Sequence, residues 1–252
     1  MKRLVIDIET QPHTLACFGL FNQYMTTDHL LKTGSTLCFA AKWVGKSRVE
    51  FMSSWKDGTA AMVERAWELM NEADAVISYN GEKFDIPTLS REFVKYGHPP
   101  TSDTRSIDLY KIVRAQFKFA SNKLDFVCRE LGLGSKLPHK GMELWQGVMA
   151  GDPKDQRIME RYNKQDVKIT EKLYARILPW IKSHPNFALY TDDLRPVCTN
   201  CGSAKVWKIG QETVKKKTMA YQRYRCKSCG TEMRGRTTVL SKEKRKAVLV
   251  QS

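Results

Sequence analysis

Apolar residues along the chain first cluster in short runs and later recur at helical spacing. Leu4-Val5-Ile6 to Ile8 predicts a strand buried on both faces, and Thr36–Val44 and Arg48–Met52 predict two more, turning at Gly45-Lys46-Ser47. Thr59–Ala73 has helical spacing, and Ala75–Tyr79 reads as a short buried strand. Pro87–Tyr96, Asp108–Phe117, Lys123–Leu131 and Met142–Met149 are predicted helices, followed by a long one from about Asp155 to Lys182. On this last helix Ile158, Tyr162, Ile169, Leu173, Ile177 and Ile181 recur at three- and four-residue steps and define one buried face. Asp166 falls on that same face, where another Ile or Leu is expected. Strands first and helices afterwards imply a mixed α/β domain, a sheet flanked by helices.

Two segments escape this pattern. Thr10 to Ser35 is long and irregular and carries Phe18, Phe21 and Tyr24, three aromatics that could stack on a strand end or simply pack. Ser183 to Val197 contains proline, Asn and paired Asp residues and marks a boundary. The expected organisation is a domain over residues 1–187, a linker over 188–195, a small β unit over 196–238 and a basic polar tail over 239–252.

With 252 residues and 42% apolar residues, the chain is sized for one sizeable domain plus a small one. The first residues predict no secretory segment and no window spans a bilayer, so a cytoplasmic protein with no membrane partner is expected, in the host cell's cytoplasm if phage-encoded. The net charge of +15 is uneven: residues 196–252 hold 14 Lys and Arg against three Glu. That asymmetry fits a nucleic acid or a solvated basic surface equally well.

Acids emerge where apolar elements end. Asp7 and Glu9, two apart, close the first strand on one side of the sheet. Asp85 follows the Ala75–Tyr79 strand in Asn80-Gly-Glu-Lys-Phe84-Asp85 and is also placed to cap the next helix, as Asp108 is for its own. Tyr162 lies one helical turn before Asp166, so the two are neighbours on the inner face. Two carboxylates about 4 Å apart repel by roughly 4 kcal/mol at an effective dielectric near 20. If the four acids converge, divalent cations must sit among them, and oxygen-only ligands favour Mg²⁺ or Mn²⁺. A pair of such ions can stabilise the attacking and leaving oxygens of a phosphoryl displacement.

The stretches "DIET", "NGEKFD" and "YNKQD" resemble, in this order, the three exonuclease motifs of the DEDD superfamily, and the tyrosine four residues before the last Asp marks its DEDDy branch. Residues 1 to about 185 are similar to phage-type 3′–5′ exonucleases related to the proofreading domain of family B DNA polymerases. The resemblance implies an RNase H-like fold and release of nucleoside monophosphates from 3′ ends of DNA, single-stranded ends being the expected substrate. It implies that Asp7, Glu9 and Asp166 bind the metal that activates water. Asp7 would also bind the second metal with Asp85, directly or through water, and Tyr162 would orient the nucleophile. Thr10, Asn80 and Phe84 would lie along the terminal nucleotide, and replication or recombination proteins are implied partners.

The C-terminal part has its own chemistry. Cys198-Thr-Asn-Cys201-Gly202 and Cys226-Lys-Ser-Cys229-Gly230 form two knuckles that resemble a zinc ribbon, with one structural Zn²⁺ expected. Cys17, Cys38 and Cys128 stand apart, the last two in apolar runs. Lys215, Lys216, Lys217, Arg223 and Arg225, interleaved with aromatics, are candidate nucleic-acid contacts. Two rival readings stay open: a ribonuclease on the same site, and a noncatalytic nucleic-acid-binding protein with the ribbon as its working part.

Overall fold

The computed structural model describes residues 1–19, 21, 24–192, 194–216 and 218–249, with the backbone alone over 210–216. Two compact units result: Lys2–Tyr174, and Ala175–Ser252 together with Met1.

The larger unit is built on a five-stranded sheet. Its strands are β1 (Arg3–Thr10), β4 (Thr36–Trp43), β5 (Glu50–Ser53), β6 (Ala75–Ser78) and β7 (Arg105–Asp108), in the order β5-β4-β1-β6-β7. β4 pairs antiparallel with β1 and β5, whereas β1, β6 and β7 run parallel. A small two-stranded ribbon, β2 (Thr14–Leu15) with β3 (Leu30–Lys32), lies inside the segment expected to be irregular. Strand β7 escaped sequence reading because Ile107 is the only aliphatic residue in Arg-Ser-Ile-Asp, too short a run for a period to show.

The two faces of β1 explain the fold. Leu4, Ile6 and Ile8 pack with Phe39, Ala41 and Val76 against α1 (Thr59–Glu72) and α2 (Asp85–Lys95), burying Met62, Val63, Ala66, Leu69, Leu89 and Phe93. Two-residue alternation sends Arg3, Asp7 and Glu9 to the opposite face, where Arg3 meets Tyr174 and Asp7 meets Asn163. Helices α3 (Leu109–Gln116), α4 (Leu124–Glu130) and α5 (Met142–Met149) follow, then α6 (Pro153–Ile177).

Helix α6 differs from expectation at both ends. It begins at Pro153, whose fixed φ suits a first helical position, with Asp152 accepting a bond from the Lys154 N–H at 2.7 Å. It ends at Ile177 rather than Lys182, because Pro179 disfavours helix at the residue before it, and a short 3₁₀ turn, Leu178–Trp180, takes over. Its buried stripe runs through Met159, Tyr162, Asn163, Asp166, Val167, Ile169, Thr170, Leu173 and Tyr174; Ile158 is only half-buried.

In the second unit β8 (Val206–Lys216), β9 (Met219–Cys226) and β10 (Glu232–Thr238) form an antiparallel sheet, and a short helix, α7 (Lys242–Lys246), follows. Asn200 is buried and donates to the carbonyls of Leu178 and Ile181 at 2.9 and 3.0 Å, tying the first cysteine knuckle to the turn after α6. A 3₁₀ turn, Phe187–Tyr190, stands in the stretch expected as a boundary, and Phe187 lies against Gly202.

Candidate active site and metal centres

At the C-terminal end of β1 the acids emerge opposite small partners: Asp7 pairs with Ala40 and Glu9 with Cys38 on β4, and the register slips just after Glu9. Opposite them, α6 presents Asp166, fully buried. Ligand oxygens of Asp7, Glu9 and Asp166 all lie within 4.8 Å of one another. The carboxylate that seemed misplaced on the apolar stripe of α6 therefore faces two more carboxylates.

Asp85 stands beside this cluster rather than inside it. It occupies the first turn of α2, and its side chain turns away from capping to accept the backbone N–H of Ile8, between Asp7 and Glu9, at 3.1 Å. Gly81 makes this approach possible, since a Cβ there would lie 2.2 Å from Ser78 Oγ and 3.2 Å from Asp85 Oδ2. Asp108 does cap α3, accepting from the Tyr110 N–H at 3.0 Å. It also accepts from the N–H groups of Asn80 and Glu82, at 2.8 and 3.3 Å. This holds Asn80 at φ +68°, the only non-glycine residue with positive φ among those described.

Two residues of the site carried no signal in the sequence pattern. Asn163 donates through Nδ2 to the carbonyl and the Oδ2 of Asp7, at 3.1 and 2.6 Å, and so fixes that carboxylate. Lys136 comes from the loop between α4 and α5, where Asp125 accepts its backbone N–H at 2.8 Å. Its Nζ lies 2.5 Å from Asp166 Oδ2 and 3.0 Å from the Tyr162 oxygen. His139 and Trp145 stand edge-on to the Tyr162 ring, at centroid distances of 4.9 and 6.4 Å.

Electrostatics record how crowded the site is. Burial, then the neighbouring Asp85, Asp166 and Glu9, push Asp7 well above the usual carboxylate range. Burial likewise pushes Glu9 up to about 8 and Asp85 to about 7. Asp166 is raised by burial despite the opposing Lys136 and Tyr162. Burial works against the charge on Lys136, but Asp166 and Tyr162 outweigh it and keep the ammonium protonated. Tyr162 is pushed up to about 12, burial first and Asp166 next, so its phenol is neutral near pH 7.

One ammonium cannot balance four carboxylates. Asp166 Oδ1 is buried with no hydrogen-bond partner among the described residues, which leaves a lone pair open to a ligand. An all-oxygen donor set with an unused lone pair suits Mg²⁺ or Mn²⁺, so Asp7, Glu9 and Asp166 could hold a divalent ion. Beside it opens a cleft of about 640 Å³ lined by Asp7, Tyr79, Asn80, Tyr110, Asn122, Lys123 and Lys136. Phe84 is exposed at the start of α2, and Thr10 closes β1 half-buried.

The four cysteines of the second unit also converge within 4.8 Å. Sγ separations of 3.5 Å for Cys198–Cys229 and 3.6 Å for Cys201–Cys226 are too long for disulfides and close to the edge of about 3.8 Å that a tetrahedral Zn–S₄ centre requires. The knuckles are built alike. Gly202 and Gly230 take φ of +73° and +82°, and their N–H groups bond back to the carbonyls of Cys198 and Cys226. Burial raises the Cys198 and Cys201 thiols, whereas at Cys226 bonds from the Cys229 and Ser228 N–H groups outweigh burial and lower the thiol to about 7. The cluster suggests structural zinc.

Around it, Arg223 and Arg225 both pair with Glu232, Lys227 lies over Trp207 at 4.8 Å, and Arg234 over Tyr221 at 4.1 Å. The backbones of Lys215 and Lys216 pair with Ala220 and Met219, their side chains lie outside the described structure, and Lys217 lies outside the described residues altogether. Among the described residues no helix is long and apolar enough to cross a membrane.

No curated protein matches the chain. Residues 4–178, the sheet and all the acids above, match the model of the RNase H superfamily, whose fold implies a nucleic-acid substrate and a phosphodiester hydrolase. The mixed sheet, the carboxylates at the end of its first strand and this match agree, and the chain belongs to the RNase H superfamily.

Proposed function

We propose that the protein is a divalent-metal-dependent exonuclease that releases nucleoside monophosphates from the 3′ end of DNA, with single strands as its preferred form. The meeting of Asp7, Glu9 and Asp166 carries the reading. The direction of digestion rests on the DEDDy-like order of the three motifs and on Tyr162 standing one turn before Asp166.

Asp7, Glu9 and Asp166 would hold the ion at the water, and Asp7 with Asp85 a second one. Bound Mg²⁺ or Mn²⁺ lowers the pKa of water and offsets charge on the attacking and leaving oxygens. Asn163 keeps Asp7 turned toward the site. Tyr162, neutral near pH 7, orients the water through its hydroxyl and is not its base. Lys136 donates to the phenol oxygen, and the phenol in turn hydrogen-bonds Asp166, which holds the hydroxyl beside the carboxylates. Asn80, Thr10 and Phe84 would line the terminal nucleotide. The zinc-bound ribbon would add a salt-sensitive grip through Lys215, Lys216, Lys217, Arg223 and Arg225.

Product analysis of DNA digested with Mg²⁺ tests this reading. Mononucleotides should appear from the 3′ end, Asp7→Ala should abolish them without loss of fold, and Tyr162→Phe should slow release roughly ten- to a hundredfold while metal binding persists. Full activity in Asp7→Ala would refute the site, and an unchanged rate in Tyr162→Phe would make the tyrosine a packing residue.

A further inference from the structure

The strand order places β1, with its carboxylates, between β4–β5 on one side and β6–β7 on the other. The cleft of about 640 Å³ that holds Asn80 opens on the β6–β7 side, walled by Tyr79 after β6 and Tyr110 after β7. A second cavity, of about 470 Å³, opens on the β4–β5 side. It begins at Gln11, two residues past Glu9, and is lined by Lys32 of β3, Ser35 and Leu37 at the start of β4, and Trp55 in the turn after β5. Thr36 opposite Thr10 and Ser53 opposite Cys38 set these walls level with the carboxylate end of β1.

Trp55 also lines a third cavity, of about 310 Å³, together with Lys56 and, from the first turns of α6, Gln156 and Arg157. The two cavities share this indole as a wall and together make a groove leading away from the carboxylates. Its charge is one-sided. Lys32, Lys56 and Arg157 are exposed and make no ion pair among the described residues. The one acid lining the groove, Glu160, is already paired with Lys164. Three uncommitted cations beside a carboxylate site of this kind suit the phosphates of a nucleic-acid strand, and an indole among them offers an apolar face to a base.

A phosphodiester held over Asp7, Glu9 and Asp166 has chain on both sides. The cleft at Asn80 takes one side, and the groove at Trp55 lies where the other leaves. We propose that this groove is the track for the single strand leading up to the scissile phosphate, with Lys32, Lys56 and Arg157 on its phosphates and Trp55 against a base. This rests on the exonuclease reading above for what enters the carboxylate site. Lys56 and Arg157 line only the outer cavity, which contains no residue of the carboxylate site, so a dinucleotide is cut without them.

The full-length double variant Lys56→Ala/Arg157→Ala tests this with Mn²⁺ and two substrates; both side chains are exposed, so the fold is not at stake. On a single-stranded oligonucleotide of about 20 nucleotides kcat/KM should fall about tenfold, mostly through KM, while on a dinucleotide it stays unchanged. Lys56→Arg/Arg157→Lys should keep wild-type values on both. The slope of log affinity against log salt for the same oligonucleotide, measured without Mn²⁺, should drop by about 1.4, two phosphates at about 0.7 each. An unchanged slope with unchanged kcat/KM on the long strand, or an equal fall on both substrates, would overturn the track. So would a loss confined to duplex DNA with the same 3′ end, which would assign the groove to the complementary strand. If wild type digests neither substrate the exonuclease reading fails, and the salt titration of binding still decides for or against the groove.

Discussion

Glu9 and Asp85 keep their protons up to about pH 8 and about pH 7, far above the ordinary carboxylate range. In the unfolded chain both are ionised above about pH 5, so between roughly pH 4 and pH 8 the metal-free native state binds more protons than the unfolded one. Stability then falls as pH rises through that window, the reverse of a salt-bridged carboxylate. The melting temperature in chelator should drop from about pH 5 to about pH 8, and Mn²⁺ should raise it more at the upper pH, where ligands are free of protons. A metal-free protein equally stable at both would show that the acids are not crowded together. Residues of this kind were legible because they break a pattern: Asp7, Glu9 and Asp166 stand where apolar side chains belong, and Tyr162 is placed by its spacing from Asp166. Lys136 and Asn163 break none. A lysine in a loop and an asparagine on a long helix are ordinary, and only the folded chain brings them to Asp166 and Asp7.

At the scale of elements, long periodic segments were readable and short or interrupted ones were not. Helix α5 was expected over Met142–Met149 and lies there, since its apolar positions alone define a face. Helix α2 starts at Asp85, two residues before the expected Pro87, and the bond from Ile8 to Asp85 explains why the acid is inside the helix rather than capping it. The cysteine knuckles were legible from spacing alone, because two thiolates and a glycine at that interval leave one backbone path. They make a sharp prediction, since so small a unit folds on its metal, and structural zinc contributes on the order of 10–16 kcal/mol. About one zinc per chain should survive dialysis, and Cys226→Ser should lose both the metal and the ordered ribbon. A folded ribbon without zinc would contradict this.

Over the whole molecule, a weakly charged unit bearing the acids is joined to a strongly basic one bearing the cysteines. Charge so divided is an argument about a polyanionic partner. Replacing Lys215, Lys216 and Lys217 by alanine should lower the slope of log affinity against log salt by about two on single-stranded DNA, where each neutralised phosphate adds about 0.7. An unaltered slope would remove these lysines from the interface. Arg223 and Arg225, already paired with Glu232, should matter less. The proposed nuclease activity stands on Asp7, Glu9 and Asp166 forming one divalent-metal site that cuts a nucleic-acid strand. End-labelled single-stranded DNA, incubated with Mg²⁺ and with excess chelator, tests it most directly when wild type is compared with Asp166→Ala. Stepwise shortening by wild type with Mg²⁺, abolished both by chelator and by the substitution, is the predicted result; shortening that survives either one would contradict it.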